Sequence, residues 1–413
     1  MEKSTKRGYK IIHTKYKGDF EIPEKWDVIK LGQVTKLEYG KGLVEENRQD
    51  KGFTVYGSGG LIGYHSEFLK EGPGIIIARK GSLGNVYYVD ESFWAIDTVY
   101  YITKDETANN LKFLFYLTKF LKLENYAIVT AQPGISRDEV YTILVKLPPV
   151  SEQKKIASIL SNIDDLIQHT DKIIDKITIL KKGLMHRFLT EGIKHTKFKK
   201  IKWYFGKEIE VPSEWNVSEI SKVSLKIMKG IFDMSPENYI DKGIPFLRVS
   251  DIENNILVKS NTVYIPDEIS KKFPNSEMHP GDIVMAKVGS IYSNDKIAII
   301  PSSMAKCNIS QNMIGIKLDK MKIMPEYFLL ILQRIYFIIS SFSNATTLGA
   351  LRLNVVREQK IPIPLLEEQK QITSIISHID CKIQYFKNQK SNLENLKKGL
   401  MQKLLTGQIR VKV

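Results

Sequence analysis

Apolar residues recur with helical spacing in two long stretches of the chain. Alternating steps of three and four residues predict one apolar seam on each of two long helices. In the first stretch the predicted seam consists of Ile156, Ile159, Ile163, Leu166, Ile173, Ile177 and Leu180. In the second stretch it consists of Ile372, Ile375, Ile379, Phe386, Leu393 and Leu396. We expect the two helices to bury these seams against each other as an antiparallel coiled coil.

Periodicity alone also fits two other structures. An ordinary helical hairpin within a core has the same pattern, and so does a coiled-coil arm that joins two copies of a chain. The pattern is interrupted by Thr170 in the first stretch and by Lys382 and Gln389 in the second. Polar residues at seam positions weaken a helix pair but fix its register and its partner.

The two helical stretches are copies of one another, and the duplication extends beyond them. Gln369 follows Gln153 by 216 positions, and residues 397–401 repeat residues 181–185 at the same interval. Upstream, residues 211–217 resemble residues 22–28 at an interval of 189, and residues 282–290 resemble residues 74–82 at 208. A whole unit is therefore duplicated, with 27 more residues in the second copy. This duplication predicts a pseudo-twofold molecule and favours a spacer role for the helices.

Outside the helical stretches, short β-branched and aromatic runs alternate with short apolar helices. Strands are expected at residues 74–78, 86–89, 98–102, 283–286 and 296–300, and helices at residues 111–123 and 325–342. The predicted fold class is α+β, with two mixed α/β domains separated by the antiparallel helix pair. The predicted boundaries are a first domain at 1–147, a first helical region at 148–192, a basic connector at 193–208, a second domain at 209–362 and a second helical region at 363–413.

Charge favours a polyanionic ligand. The 413 residues include 61 Lys and Arg against 46 Asp and Glu, a net charge of +15. Such an excess is typical of proteins that bind nucleic acid, although many lysine-rich proteins do not. The basic residues 194–202 favour a solvated linker, with phosphate contact as the alternative.

Composition also predicts where the protein resides. Two cysteines, Cys307 and Cys381, are too few for a disulfide framework or a zinc site and indicate reduced thiols. We find no bilayer-spanning apolar run and no secretory leader at the N-terminus, so no membrane contact and a cytoplasmic location are expected.

Several segments resemble the specificity subunits of type I restriction-modification systems. The segments in the first half are residues 55–64, 75–88 and 97–101, and those in the second half are residues 244–252, 280–284 and 309–313. A Leu-Pro-Pro-x-x-Glu-Gln-x-x-Ile pattern at residues 147–156 is typical of the family's helical regions and returns in altered form at residues 363–372. The resemblance covers nearly the whole chain.

This resemblance implies a subunit without catalytic activity. Two target-recognition domains would each read one half of a bipartite, asymmetric sequence in double-stranded DNA. The paired helices would set the distance between the halves and dock two methyltransferase subunits. Restriction subunits, which are ATP-dependent nucleases, would complete the complex. The S-adenosylmethionine and ATP would belong to those partners, so no cofactor is expected on this chain.

The motifs that are missing agree with a non-catalytic role. The chain has no phosphate-binding Gly-x-x-x-x-Gly-Lys-Ser/Thr loop and no Asn/Asp-Pro-Pro-Tyr/Phe methyltransferase motif. Its seven histidines are scattered, so no metal site is expected. Carboxylates at Asp251, Glu253 and Asp282 leave a nuclease open as an alternative, and a stand-alone coiled-coil DNA-binding scaffold or repressor is another.

Candidate DNA contacts lie at strand ends around Gly-Ser turns. Arg and Lys suit guanine, and Asn and Gln suit adenine. The candidates are Arg79, Lys80, Ser82 and Asn85 in the first half, and Arg248, Lys287, Ser290, Ser293, Asn294, Gln311 and Asn312 in the second. Each of them is otherwise an ordinary turn residue or surface charge. Because Arg79-Lys80 is replaced by Lys287-Val288, the two domains are expected to read different half-sites.

Overall fold

The protein consists of two compact units, each built from a globular part and portions of two long helices. The computed structural model describes residues 6–13, 19–128, 133–202, 208–232, 234–258, 262–287, 295–341 and 351–412. Unit 1 comprises residues 1–173 and 386–413, and unit 2 comprises residues 174–385.

The first globular part precedes the first long helix. Its strands are β1 (Tyr9–Ile12), β2 (Phe20–Pro23), β3 (Asp27–Lys30), β4 (Glu38–Tyr39), β5 (Phe53–Gly57), β6 (Gly60–His65), β7 (Gly74–Ala78), β8 (Val86–Val89), β9 (Phe93–Ala95), β10 (Val99–Ile102), β11 (Ala127–Ile128), β12 (Gly134–Ile135) and β13 (Leu144–Leu147). Its helices are α1 (Leu31–Val34), α2 (Leu111–Leu121) and α3 (Arg137–Thr142), followed by the long α4 (Val150–Phe188).

Two sheets form the centre of the first globular part. The order β4-β10-β7-β8 is antiparallel throughout, and in the order β6-β5-β9 the pair β5 and β9 is parallel. Strand β7 is buried on both faces: Ile75 and Ile77 join the core that includes α2, whereas Ile76 packs with Phe93. Burial on both faces explains why this strand is a continuous apolar run.

The second globular part precedes the second long helix. Its strands are β14 (Phe198–Lys202), β15 (Glu208–Pro212), β16 (Asn216–Glu219), β17 (Ser224–Lys229), β18 (Ile244–Leu247), β19 (Ile252–Glu253), β20 (Ile256–Leu257), β21 (Val263–Ile265), β22 (Glu277–Met278), β23 (Ile283–Ala286), β24 (Ile297–Ile299), β25 (Cys307–Ile309), β26 (Met313–Leu318) and β27 (Lys360–Ile363). Its helices are α5 (Asp267–Lys272), α6 (Pro325–Ser341) and α7 (Leu353–Arg357), followed by the long α8 (Leu366–Leu405).

The second globular part repeats the sheets of the first. The order β17-β26-β23-β24 corresponds to β4-β10-β7-β8, and the order β21-β18-β25-β22 contains a parallel pair, β18 and β25, that corresponds to β5 and β9. The terminal ladders β3–β13 and β16–β27 also correspond. Strands β19, β20 and β22 and helix α5 lie in the segment between β18 and β23, where most of the additional residues of the second copy are found. The expected α+β fold with internal duplication is confirmed.

The predicted short elements have nearly the expected bounds. Strands β7, β8 and β23 match residues 74–78, 86–89 and 283–286, and β10 and β24 are slightly shorter than predicted. Helices α2 and α6 begin at the predicted residues Leu111 and Pro325. Helix α2 ends two residues early, and α6 extends to Ser341, where the described stretch ends.

Each long helix has one row of buried or half-buried positions. On α4 the row is Ile156, Leu160, Ile163, Ile167, Thr170, Ile174, Ile177, Lys181, Leu184 and Phe188. On α8 it is Ile372, Ile376, Ile379, Ile383, Phe386, Lys390, Leu393, Lys397, Leu400 and Leu404. Every member of the second row follows a member of the first by 216 positions, and the alternating steps of four and three are those of a heptad seam.

The observed seam corrects part of the predicted one. Five predicted seam residues are exposed: Leu166 at 54%, Ile173 at 38%, Leu180 at 54%, Ile375 at 37% and Leu396 at 51%. At Leu166, Ile173 and Ile375 the following residue is also apolar and is the one that lies in the seam, whereas after Leu180 and Leu396 the seam residue is a lysine. One residue turns a helix by about 100°, which carries the wrong neighbour to the outside. Ile159 is half-buried beside the seam.

Three lysines occupy seam positions, and each pairs with an aspartate of the other helix. In unit 1, Lys397 pairs with Asp164, and Lys390 Nζ lies 2.7 Å from Asp171 Oδ1. In unit 2, Lys181 Nζ lies 2.5 Å from Asp380 Oδ1. In unit 1 the partner number falls as the α4 number rises, so the helix segments there run antiparallel. These ion pairs explain how the seam accommodates charged side chains.

Candidate functional site

A buried tryptophan ties each globular part to the start of the long helix that follows it. Trp26 is fully buried and its Nε1 donates to Glu152 Oε2 over 3.1 Å. Trp215 is equally buried, and its Nε1 donates to Glu368 Oε2 over 2.9 Å. The other oxygen of each glutamate has different partners: Arg410 bonds Glu152, whereas Ile193 N and His195 Nε2 approach Glu368 at 2.8 and 2.9 Å.

The next residue in each helix, a glutamine, holds the beginning of the apolar helix in the globular part. Gln153 Oε1 accepts from Asn110 N over 2.9 Å, directly before α2. Gln369 Oε1 accepts from Met324 N over 2.7 Å, directly before α6. The Glu-Gln pair of the sequence pattern therefore anchors each globular part to the start of the long helix that follows it. Both units have this anchor.

The first candidate surface lies where β7 ends. The guanidinium carbon of Arg79 is 4.9 Å from the ring centroid of Tyr39 and 5.4 Å from that of Tyr100. Its Nη1 donates to Asp97 O over 2.9 Å. Burial raises the pKa of the Tyr100 hydroxyl, and Arg79 acts against that rise. Arg79 is thus held in one orientation beside the Tyr39 ring, which is 46% exposed.

The rest of this surface comes from the turn between β7 and β8. Lys80, Ser82 and Asn85 are exposed, and Asn85 Nδ2 donates to Tyr87 Oη over 3.1 Å. Gly84 has a positive φ of 78°, and a Cβ there would clash with Glu124. The turn therefore needs glycine at position 84, where it packs closely against Glu124. It brings all four candidate residues of the first half together.

A second arginine stands at this surface and was not singled out from the sequence. The guanidinium carbon of Arg137, the first residue of α3, is 5.0 Å from the Tyr39 ring centroid and 5.9 Å from that of Tyr141. Two guanidinium groups therefore stack on one half-exposed tyrosine. In the sequence, Arg137 precedes Asp138 and Glu139 and lies far from the strand ends at which the other candidates were predicted.

The second candidate surface lies at the end of the equivalent strand, β23, but carries different side chains. Lys287 follows β23 as Arg79 follows β7, and Lys287 N donates to Asn312 O over 2.8 Å. Lys287 Nζ reaches Gln311 O at 3.5 Å. Burial, and then the charge of Lys229, lower the pKa of the Lys287 ammonium.

Three of the candidates in unit 2 line one pocket. Arg248, Gln311 and Asn312 border a cavity of about 350 Å³ together with aromatic rings of Tyr239 and Phe246. Arg248 Nη2 lies 3.4 Å from Asp251 Oδ1. Ser290, Ser293 and Asn294 lie outside the described residues.

Two glycines establish which residues of the two surfaces correspond. A Cβ at Gly40 would clash with the carbonyl oxygens of Ile96 and Ala95, and one at Gly230 would clash with those of Ser310 and Ile309. The residues before these glycines, Tyr39 and Lys229, therefore occupy equivalent places. Arg79 corresponds to Lys287 because each directly follows the equivalent strand, β7 or β23. Asp97 corresponds to Gln311, since each carbonyl faces the cation after the central strand.

Neither a metal centre nor a membrane span was found in the described part of the chain. No group of three or more His, Cys, Asp or Glu side chains there could hold a metal ion. No helix there is both long and apolar enough to cross a bilayer. Cys307 is buried and Cys381 is exposed, and both are free thiols.

Comparison with known proteins identifies the family. The family model for the type I restriction modification DNA specificity domain matches residues 23–178 and again residues 212–395. The type I restriction enzyme MjaVIII specificity subunit of Methanocaldococcus jannaschii is 28% identical over 98% of this chain and 97% of its own. A putative MjaX specificity subunit from the same organism is 32% identical over 73% of this chain and 68% of its own.

A solved structure has the same fold. The crystal structure of a type I restriction-modification S subunit from M. genitalium has a TM-score of 0.61 and covers 92% of this chain and 96% of its own, at 16% identity. The two matches to the family model coincide with the two copies seen in the fold. Specificity subunits are the non-catalytic DNA-recognition components of their complexes. The chain belongs to the family of type I restriction-modification DNA specificity subunits.

Proposed function

We propose that the chain reads a bipartite, asymmetric DNA target, with one half-site for each unit. One observation carries this proposal: two copies of a single scaffold present unlike side chains at equivalent places. Tyr39 and Arg79 in unit 1 are replaced by Lys229 and Lys287 in unit 2. A duplicated scaffold with unlike reading groups suits a long, nearly twofold ligand whose two halves differ in sequence, such as duplex DNA.

The chemistry of both surfaces supports DNA as the ligand. Basic side chains attract the phosphates of DNA. Arg, Lys, Asn and Gln also carry the hydrogen-bond donors that distinguish base edges in the major groove. Both surfaces combine such residues, and the whole chain carries a net charge of +15. The proposal includes the helix pair as the element that sets the distance between the half-sites.

The proposal also includes two methyltransferase subunits that dock on the long helices. Leu180 on α4 and Leu396 on α8 are 54% and 51% exposed, and they are equivalent by the interval of 216. Val150 and Leu366, also equivalent, are 43% and 38% exposed. An apolar side chain repeated by pseudo-symmetry offers the same contact twice, which suits two copies of one partner. ATP-dependent restriction subunits would then complete the complex.

One variant in each unit tests whether the two units read separate half-sites. Lys80→Ala should alter selection only in the first half-site, and Lys287→Ala only in the second. The measurement is sequencing of random duplexes that are retained by the chain together with its methyltransferase. The two variants serve as controls for each other, because each removes one lysine from one surface. A change in the half-site of the wrong unit would contradict the assignment.

Docking is tested by placing charge on the equivalent leucines. The double variant Leu180→Lys with Leu396→Lys should lose co-purification of both methyltransferase copies, and each single variant should lose one. Leu225→Lys is the matched control, since Leu225 is 74% exposed on a strand and lies off the long helices. If the unpartnered chain bound its target with full affinity and retained no methyltransferase, a stand-alone scaffold or repressor would replace this proposal.

A further inference from the structure

We infer that Arg137 reads a guanine in the first half-site, with Tyr39 and Arg79 as positioning residues. This inference rests on the proposed function, since it names one base contact within the first half-site. It concerns a residue at the start of α3, away from the Gly-Ser turn.

The guanidinium of Arg137 lies against two aromatic rings. Its carbon lies 5.0 Å from the Tyr39 centroid and 5.9 Å from the Tyr141 centroid. Tyr141 is itself fixed, because its hydroxyl accepts from Leu37 N over 2.8 Å. Tyr39 is fixed by an edge contact with Tyr100, with the centroids 5.0 Å apart. Stacking of this kind limits the rotation of the guanidinium plane and lowers the entropy that binding would cost.

The hydrogen-bonding capacity of Arg137 is unused. Among the described residues it forms no salt bridge and no hydrogen bond, and its buried Nε has no partner. Other arginines are engaged: Arg79 donates to Asp97 O, Arg410 pairs with Glu152, and Arg334 donates to His186 O. A guanidinium that is held in place by rings while its N–H donors remain unmet is prepared for a ligand with paired acceptors.

Guanine fits this arrangement better than a phosphate does. The guanine edge presents O6 and N7 in one plane, and a bidentate arginine is the commonest specific contact with it. A phosphate can also accept a bidentate arginine, but its tetrahedral oxygens accept from many directions, so it gains less from a fixed donor plane. Arg79, whose guanidinium carbon lies 4.9 Å from the Tyr39 centroid, adds positive charge beside the same ring. In unit 2 the first residue of α7, equivalent to Arg137, is Leu353, so this contact belongs to the first half-site alone.

The test is selection of random duplexes by the complex of the full chain with its methyltransferase. The wild type should require a guanine in the first half-site. Arg137→Ala should reduce the preference for that base pair about ten- to hundredfold, as expected for the loss of one bidentate contact. Its second half-site should be unchanged, which also shows that the chain has folded. Arg137→Lys keeps the charge and a donor but loses the planar fork, so its guanine preference should lie between those of the wild type and Arg137→Ala.

Two controls separate base reading from general charge and from structure. Lys112→Gln removes another cation of unit 1, one that lies 3.7 Å from the Tyr88 ring centroid, and should leave the guanine preference intact. Tyr39→Phe should preserve selection because the ring remains, whereas Tyr39→Leu should relax it. Full rescue by Arg137→Lys, or an unchanged preference in Arg137→Ala, would overturn the inference while the bipartite target stands. If the wild type selected no bipartite target, the proposed function itself would fail.

Discussion

Glu152 accepts a hydrogen bond from the buried indole of Trp26 over 3.1 Å. The same bond recurs in the second unit, where Glu368, 216 positions after Glu152, accepts from Trp215 over 2.9 Å. A buried carboxylate is costly unless its oxygens are satisfied, so the recurrence of this pair shows where each globular part is fastened to its helix. The units share this anchor while their candidate DNA surfaces differ.

Removing the anchoring glutamate of one unit should lower the stability of that unit and leave the stability of the other unchanged. Glu152→Ala leaves the Trp26 N–H and Arg410 without their acceptor and should cost about 1–3 kcal/mol in unit 1. Glu368→Ala should do the same in unit 2, where it also removes the acceptor of Ile193 N. Hydrogen exchange, followed separately in peptides from each unit, measures the effect. An equal response of both units to either variant would contradict this view of the anchor.

The two pseudo-equivalent ion pairs of the helix seam should differ in strength. Asp164 pairs with Lys397 and also accepts from the Tyr116 hydroxyl over 2.7 Å, whereas Asp380 pairs with Lys181 and is about half exposed. Asp164→Ala should therefore cost about 1–3 kcal/mol, and Asp380→Ala less than about 1 kcal/mol. Denaturant unfolding of the two variants gives the comparison, and Tyr116→Phe with Asp164→Ala provides a double-mutant cycle. Equal losses would show that the Tyr116 bond adds nothing.

The register of the seam can be tested with neighbouring residues. Ile163→Asp places a charge among buried side chains and should cost several kcal/mol, since Ile163 is only 7% exposed. Leu166→Asp should change the free energy of unfolding by less than about 0.5 kcal/mol, because Leu166 is 54% exposed. Thermal unfolding distinguishes the two. If Leu166→Asp proved as damaging as Ile163→Asp, the seam would follow the register first expected from the sequence.

A pH dependence is expected from Asp282, which is 6% exposed. Burial raises the pKa of its carboxyl above the usual 3.8, although the His279 backbone N–H, at 2.8 Å from Oδ2, opposes the rise. A raised folded pKa means that the stability contributed by this group is present below the unfolded pKa and is lost as pH rises through the folded value. Asp282→Asn stays neutral and can still accept the His279 bond. Its advantage in stability should be small near pH 4 and grow towards pH 8 in chemical denaturation, and an advantage that shrinks with rising pH would contradict the assignment.

The duplication and most short elements could be predicted because they depend on local pattern. Strand β7 is apolar at every position since both its faces are buried, and its bounds were recovered from the sequence. The apolar seam of the two long helices was harder to predict. Pairs such as Leu166-Ile167 and Ile173-Ile174 satisfy two registers, and only packing against the other helix decides which member is buried.

The candidate DNA surfaces were only partly predictable. Arg79 and Lys287 were found because they follow matching strands. Tyr39, Arg137 and Lys229 were missed, because their proximity to those residues arises from tertiary structure. The one usable signal was the correspondence of Gly40 and Gly230, which a comparison of the two copies at an interval of 190 would have revealed.

The most direct measurement is the DNA motif selected by the wild-type chain in complex with its methyltransferase, read by sequencing the duplexes retained from a random pool. Two unlike units that share one anchor should select two different short half-sites separated by a constant gap in which every base is accepted. A single contiguous motif, or two identical half-sites, would contradict the account.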